Sequence, residues 1–505
     1  MDNGMDNDTG TGAGAPDASV VIVGAGPVGL MLACELGLAG VDTVVLDRAP
    51  DRETGENLRS TMLHARAADL LDRRGLLDRL RRIEEPAKWP MIHFANFWLD
   101  LTELLDHEYS LIVPQLHTVR VLEERARELG ADIRRGHEVT GLDQDAAGVT
   151  VRVRTPSGDR SVSGRYLAGC DGEDSTVREL AGFEAPPSGA PWYGILADFE
   201  RLDAQWGSTM YPGGLLGITP HPYKKDWVRM MTVEFGVTGP GRNEPVTAAE
   251  LGESLRRVSG EEWTLEPPAW MYRYSGRTRL ASAYRRDRVF LAGDAAHVHY
   301  FGAGHGTSTG LHDAVNLGWK LAAEILGWAP PGLLDTYHAE RHTVGRRVRM
   351  SQQAQLALQY PLDRVEPLRE LFGELVGLQD VNRLLVGLVT DVRYPVDGAH
   401  PLVGRPVPDA ALFTARGETR TAELLRAGRG VLIDLSDGAA TGLGPAAEWA
   451  GRVEAVAAKP VTEIDAAAVL VRPDGHVAWA DPEGTDEDGL RAALGTWFGA
   501  PQAAL

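Results

Sequence analysis

From residue 19 onward the chain alternates short apolar runs with amphipathic stretches. Val20-Val21-Ile22-Val23 is β-branched and uninterrupted, the pattern of a strand buried on both faces. A glycine-rich turn follows, then an apolar helical stretch from Pro27 to Ala39 that Gly40 ends. A second strand-like run, Val41 to Leu46, closes on Asp47. Leu63, Ala67, Leu70, Leu71 and Leu77 recur at helical spacing, which predicts one helix over about residues 61–83. Its arginines, Arg73 and Arg74 among them, are expected on a solvated side, and Pro86 and Pro90 end it. Residues 91–113 read as strands and turns, and a second helix is predicted over 116–129. A β-meander is expected near 131–135, 148–154 and 161–168.

Further along, a buried run ends in Cys170-Asp171-Gly172, and Ser175 to Arg178 opens a helix. From about 186 to 279 the texture changes to alternating strands rich in Trp, Tyr and Met, predicting a separate antiparallel sheet. Helices are predicted from Gly293 to about Asp391. Prolines at 395, 401, 406 and 408 mark a boundary, after which strand and helix patterns alternate in a thioredoxin-like order. That last unit has no cysteine, so dithiol redox chemistry is excluded there, and a structural or dimer-stabilising role is expected.

The turn after the first strand, Gly24-Ala25-Gly26-Pro27-Val28-Gly29, is a GxGxxG with strand, helix, second strand and acid all in place. In that context it signals a bound dinucleotide. Gly24 permits the tight turn, Gly26 admits a pyrophosphate and Gly29 lets the helix pack close to the strand. The helix N-terminus, opened by Pro27, holds the phosphates, and Asp47 accepts from the adenosine ribose. Glu35, Pro27 and the glycines exclude a membrane span there.

Composition narrows the picture only a little. The formal charge of −20 argues against nucleic acid or an anionic membrane as partner. Cys34 and Cys170 make neither a disulfide framework nor a metal cluster, and read as buried thiols. Residues 1–18 lack a secretory pattern and read as a disordered tail, so a cytoplasmic location is expected.

A second glycine motif completes the candidate site. Val289 to His297 is a buried strand ending on Gly293-Asp294, followed by a glycine-rich loop and a helix predicted to begin near Thr307 or Ser308. Asp294 can accept from a ribityl hydroxyl, and the helix N-terminus can stabilise negative charge on a flavin ring.

With all three motifs in view, the chain resembles the class A flavin-dependent aromatic hydroxylases of the p-hydroxybenzoate-hydroxylase type. Within them it is most similar to the branch that tailors aromatic polyketides and to rifampicin monooxygenases. The resemblance implies an α/β fold in three parts. These are an FAD-binding Rossmann-like domain (19–185 and 280–394), an inserted antiparallel-sheet substrate domain (186–279), and a thioredoxin-like C-terminal domain (395–505). It implies non-covalent FAD, transiently docked NADPH, O2, and hydroxyl transfer through a C4a-hydroperoxyflavin to a polycyclic aromatic substrate. By motif position it assigns FAD contacts to Arg48, Arg59, Gln115, Asp171, Gly304, Gly306, Thr307 and Ser308, beside those already named. No metal is implied, and the protein is expected as a monomer or homodimer.

The chain departs from the family where relatives carry two prolines and a glutamine; here stand Tyr300, Phe301 and His305. These three are the catalytic candidates. The aromatics are expected to stack on a planar substrate, and His305 to donate a proton or replace the glutamine's hydrogen bonds. His93, Trp98, Trp192, Tyr211, His221, Tyr223 and Met231 are the candidate pocket residues. The altered loop leaves open a Baeyer–Villiger or redox-neutral flavoenzyme, and, further off, a non-catalytic flavin- or polyketide-binding protein.

Overall fold

The computed structural model describes residues 16–51, 62–101, 109–222, 224–240, 245–300, 304–390, 392–394, 396, 400–436, 438–461 and 464–501. Its central layer is a sheet in which Ala18–Val23 lies between Thr43–Asp47 and Gly158–Gly169, parallel to both. Asp132–Arg135 extends one edge and Val289–Leu291 the other, again in parallel. Val20, Val21 and Ile22 are fully buried, as their β-branched run predicts. The helix Pro27–Leu38 fills the layer beneath and packs against both Gln115–Glu128 and His305–Ile325. That double contact explains why it is apolar nearly all round.

A meander forms from Glu138–Gln144, Val149–Thr155 and Gly158–Gly169, but the strand expected to open it, 131–135, is instead the parallel edge strand Asp132–Arg135. Of the expected tail, residues 1–15 lie outside the described residues, but Asp17 and Ala18 belong to the fold. Ala18 opens the first strand, and Asp17 exchanges hydrogen bonds with Ser163 (3.2 and 2.8 Å).

A second, six-stranded sheet is antiparallel, in the order 207–211, 214–220, 228–235, 187–199, 270–280, 297–298. Strand alternation gives it two unlike faces. Tyr193, Ile195 and Ala197 point to the helix Ala248–Ser259, while Trp192 and Leu196 point the other way, towards Phe235, Tyr274 and Tyr300. Its last strand follows directly on Val289–Leu291 of the first sheet: Leu280 pairs with His297 and Arg279 with Val298, so the segment after Gly293-Asp294 is stitched into this sheet.

One long helix over 61–83 is not what forms. The chain makes two, Ala65–Asp72 and Leu77–Ile83, broken at Gly75, whose φ of 66° is open to glycine at little cost. The arginines at the break are not solvated. Arg74 lies 2.6 Å from Glu35 and donates to the carbonyls of Leu425 and Pro473, and Arg73 donates to Val407 and Gly475. Carbonyls of the C-terminal unit accept from both guanidinium groups, those of Leu425 and Gly475 in addition to a backbone N–H, which gives the two buried arginines their partners.

The C-terminal unit is a mixed six-stranded sheet around the parallel pair Gly430–Asp434 and Val453–Pro460, closed by the helix Glu487–Phe498. The hairpin Ala411–Thr414 with Gly417–Arg420 was not foreseen; its alternation is too short to stand out from a loop.

Candidate cofactor site

A cleft of about 370 Å³ opens where the parallel strands end, at the point where the chain leaves one strand for the helix layer. Two helix N-termini face it. Pro27–Leu38 starts from Gly26 and His305–Ile325 from Gly304. Neither N-cap carries a capping side chain, and neither first turn holds an acid. Their unfilled N–H groups make both ends ready for anionic or electron-rich ligand groups.

The three glycines of the first motif do different work. Gly24 has a φ of 105°, and a Cβ there would lie 2.3 Å from the Cys170 carbonyl; a Cβ on Gly29 would lie 2.0 Å from the Gly24 carbonyl. Both are demanded by the protein itself. At Gly26 a Cβ meets no protein atom within 4 Å, so that space is left for something that is not protein. Asp47 accepts from Ala25 N–H (2.6 Å) and Ala49 N–H (2.8 Å), which pins the turn against the second strand.

The Asp171 motif braces this turn from the other side. Ser175 Oγ donates to Asp171 Oδ1 (2.5 Å) and Val177 N–H to Oδ2 (3.0 Å), while Ser175 caps its helix by accepting from Arg178 N–H. Burial pushes the Asp171 carboxyl up, and those hydrogen bonds only partly offset it. Arg178 then reaches the carbonyl of Ala295 at 3.1 Å, joining the second motif to the third.

Beneath Gly293-Asp294 sits a fully buried carboxylate that sequence reasoning missed. Asp313 accepts from Gly293 N–H (3.0 Å), His297 Nε2–H (2.6 Å) and Arg341 Nε–H (2.7 Å). Burial pushes its carboxyl up, but the charges of His297 and Arg341 outweigh that and hold it below the ordinary range. Asp313 sits on a helix that also buries His312, Asn316 and Lys320, so no break in an apolar face marked it in the sequence.

Of the expected FAD contacts, Gly24, Gly26, Pro27, Asp47, Arg48, Gln115, Asp171, Asp294, Gly306 and Thr307 line the cleft. Gly29 and Gly293 are buried in its foundations, and Gly304 caps the helix in the left-handed region. Ser308 turns away, its Oγ accepting from His64 N–H (3.2 Å). His137 and Glu138, absent from the expectations, also line the cleft, brought there by the unforeseen strand beginning at Glu138. Arg59, Tyr223 and Phe301 lie outside the described residues.

The catalytic expectations need correction. Tyr300 is not available for stacking: it is 2% exposed and packs edge-on to Trp192 (5.9 Å) and against Phe235 (6.1 Å). It helps build the apolar face of the second sheet. His305 starts the long helix and is 1% exposed, its ring 5.6 Å from His64. Burial, with His64, His93 and His297 nearby, drives its pKa well below the usual histidine range, so it is a neutral imidazole and not a cationic acid. Neither ring nitrogen has a hydrogen-bond partner among the described residues.

Among the pocket candidates, Trp192 and Met231 lie on the sheet face that carries Tyr300, and His93 lies opposite Trp98 on a hairpin whose histidine approaches His305. Tyr211 packs on the other face, against the helix side of the sheet. His221 is locked at the sheet's end, 3.3 Å from Asp198, which also takes Arg229, so it is a structural ion-cluster residue. The described residues contain no cluster suited to a metal and no helix long and apolar enough to cross a membrane.

A parallel sheet with two bare helix N-termini over one cleft, and an antiparallel sheet stitched to its edge, defines an FAD-dependent oxidoreductase of the aromatic-hydroxylase kind. The chain belongs to that family. Residues 17–352 match the FAD binding domain family, and 400–501 match the aromatic-ring hydroxylase C-terminal family. Over 95% of its length it is 42% identical to a 12-dehydrotetracycline 5-monooxygenase/anhydrotetracycline 6-monooxygenase of Streptomyces rimosus, covering 99% of that protein. It is 43% identical, over 95% of its length and 99% of the relative's, to a dialkyldecalin synthase of Streptomyces rugosporus. The solved structure of an aromatic hydroxylase from angucycline biosynthesis superposes with a TM-score of 0.89 at 41% identity, covering 96% of this chain and 100% of that one. The chain is thus an FAD-dependent monooxygenase by family.

Proposed function

We propose that the protein hydroxylates a polycyclic aromatic polyketide intermediate at the expense of NADPH and O2. One oxygen atom ends in a ring C–OH where a C–H stood, the other leaves as water, and NADPH with one proton from solvent supplies the two electrons and two hydrogens this requires. The observation that carries this reading is the pair of uncapped helix N-termini opening on one cleft, with the space above Gly26 left free of protein.

FAD fits the residues present. The Gly24–Pro27 turn would take the pyrophosphate, Asp47 and Arg48 the adenosine side, and Asp294, Gly306 and Thr307 the ribityl and ring side. Bound there, FAD supplies the two-electron relay between nicotinamide and oxygen. The chain's own contribution is positioning: Asp171 and Asp313 fix the loops, and the N–H groups that open the helix at His305 would stabilise negative charge on the ring. Neutral His305, behind the loop, offers hydrogen bonds without bringing charge. Met231, half-buried on the sheet face that Trp192, Tyr274 and Tyr300 pack from within, would offer an apolar wall to a fused-ring substrate. A cytoplasmic monomer or homodimer suits this role.

A second reading, redox-neutral chemistry on the same scaffold, is favoured by one fact: the dialkyldecalin synthase is as similar to the chain as the monooxygenases are. One experiment separates them. FAD-loaded protein is given NADPH, labelled dioxygen and a panel of fused-ring phenols and quinones. Stimulated NADPH oxidation with one labelled oxygen in the product is expected. Product formed without NADPH consumption or label would replace the first reading with the second, and an oxygen inserted beside a ketone would establish the Baeyer–Villiger variant.

A further inference from the structure

The C-terminal unit carries no cysteine and no residue of the cofactor cleft, yet a continuous buried polar chain runs from it to the loop under Gly293. At its outer end Arg472 holds Glu340 (2.5 and 3.0 Å) and Asp474 (3.1 Å). Lys320 Nζ donates to Glu340 (2.7 Å) and to Asn316 Oδ1 (2.8 Å), and Asn316 Nδ2 donates to Asp474 (3.1 Å). The middle of the chain is one phenol. Tyr394 Oη accepts from Asn316 Nδ2 (3.3 Å) and from Arg341 Nη1 (3.1 Å), and its ring stacks on His476 at 4.4 Å. Arg341 then grips Asp313 (2.7 Å) and the Thr309 carbonyl (3.1 Å), and Asp313 holds Gly293 N–H and His297.

These groups are charged or polar and almost wholly shut off from water; Arg341 and Asp313 are completely buried. Such a network is a costly way to join two units that apolar packing would join as well. What it supplies instead is direction: its members share donors and acceptors, Asn316 Nδ2 facing Glu340, Tyr394 and Asp474 at once, so a displacement at one end leaves a buried group short of a partner unless the next member follows.

We propose that Tyr394 and Arg472 are positioning residues for the flavin loop. On this proposal the C-terminal unit is the outer anchor that sets the height of Gly293-Asp294 through Arg341 and Asp313. The inference rests on reading Gly293-Asp294 and the helix start at Gly306-Thr307 as the site of the flavin ring. It gives a function to a unit whose redox chemistry the absence of cysteine rules out.

The test uses FAD-loaded full-length protein. Tyr394→Phe deletes a single oxygen and leaves the ring stack intact; Arg472→Met removes the anchor. Either is expected to raise the FAD dissociation constant about twofold to thirtyfold, the span of couplings carried through such networks. Each is expected to change the bound flavin's absorbance fine structure and speed amide exchange at Gly293–Val298. In the double variant the two effects should be far from additive. Leu490→Ala, which hollows the C-terminal core away from the network, is the control: it should lower the melting temperature and leave flavin affinity and spectrum as in the wild type. If Tyr394→Phe and Arg472→Met change only thermal stability, or Leu490→Ala perturbs the flavin as much as they do, the proposal is overturned. A wild-type protein that takes up no FAD would instead overturn the reading of the site, and the proposal with it.

Discussion

Asp313→Asn is the sharpest single perturbation of the site. All three groups around that carboxylate are donors: Gly293 N–H, His297 Nε2–H and Arg341 Nε–H. An amide has the same shape but brings two N–H donors of its own, so whichever way it is turned, at least one pair becomes donor against donor. It also leaves the Arg341 guanidinium, 0% exposed, without its anion. Breaking a buried pair in this way costs about 3–5 kcal/mol. Because the new donor opposes either Gly293 N–H itself or the Arg341 that holds residue 313 in place beneath it, part of that cost falls on the flavin loop, and FAD affinity should drop at least about tenfold, 1.4 kcal/mol being a factor of ten. The assay is flavin fluorescence on titration with apoprotein, alongside denaturant unfolding at several pH values. In the wild type the Asp313 carboxyl is depressed by His297 and Arg341. Its contribution is therefore complete above the unfolded value near pH 4 and lost as pH falls through the folded one. The variant should lack that part of the acid limb and converge with the wild type at the lowest pH. Equal FAD affinity, or a stability difference that persists unchanged in acid, would refute the reasoning.

Other consequences are simpler to check. Gly26→Ala should fold as well as the wild type and bind FAD poorly, whereas Gly29→Ala, with its Cβ 2.0 Å from a carbonyl oxygen, should lose stability before any ligand is added; thermal melts of the apoproteins separate the two. Burial pulls the Lys320 ammonium down to about 8, against about 10.4 in the unfolded chain. Between those values the unfolded state binds more protons, so the stability owed to Lys320 rises with pH. Lys320→Met should remove that rising limb in urea titrations from pH 7.5 to 9.5. Burial raises both thiols, Cys34 and Cys170, far above the ordinary range, so neither should react with a thiol reagent until the protein is unfolded.

What could be read from the sequence follows the range of the interactions involved. The first strand, the glycine turn, the helix behind it and Asp47 are local, and the run of residue types over Val20–Asp47 prescribes them almost alone. The same holds for Asp171 with Ser175, a cap closed within a few residues. Arg73 and Arg74 belong inside because, beside the Glu35 carboxylate that Arg74 meets, their partners are the carbonyls of Val407, Leu425, Pro473 and Gly475, hundreds of residues away, which no side-chain pattern announces. Asp313 and Arg341 escaped for a related reason: each is an unremarkable charge on a helix until folding brings them together. Tyr300 and Tyr211 show the limit of composition. Both are aromatic and near the right sheet, but neighbours across the strands, not residue type, decide which face each one joins.

The pairing of Leu280 with His297 has a practical corollary for swapping specificity between relatives. A transplant cut at either end of residues 186–279 would sever that edge and separate a foreign substrate wall from the native loop hydrogen-bonded to it. Chimeras with junctions placed before Pro187 and beyond Asp313 would carry the edge strand, its carboxylate support and the glycine loop as one cassette. Such exchanges should retain cofactor and alter substrate preference, while the shorter graft should yield protein that fails to hold its flavin in register.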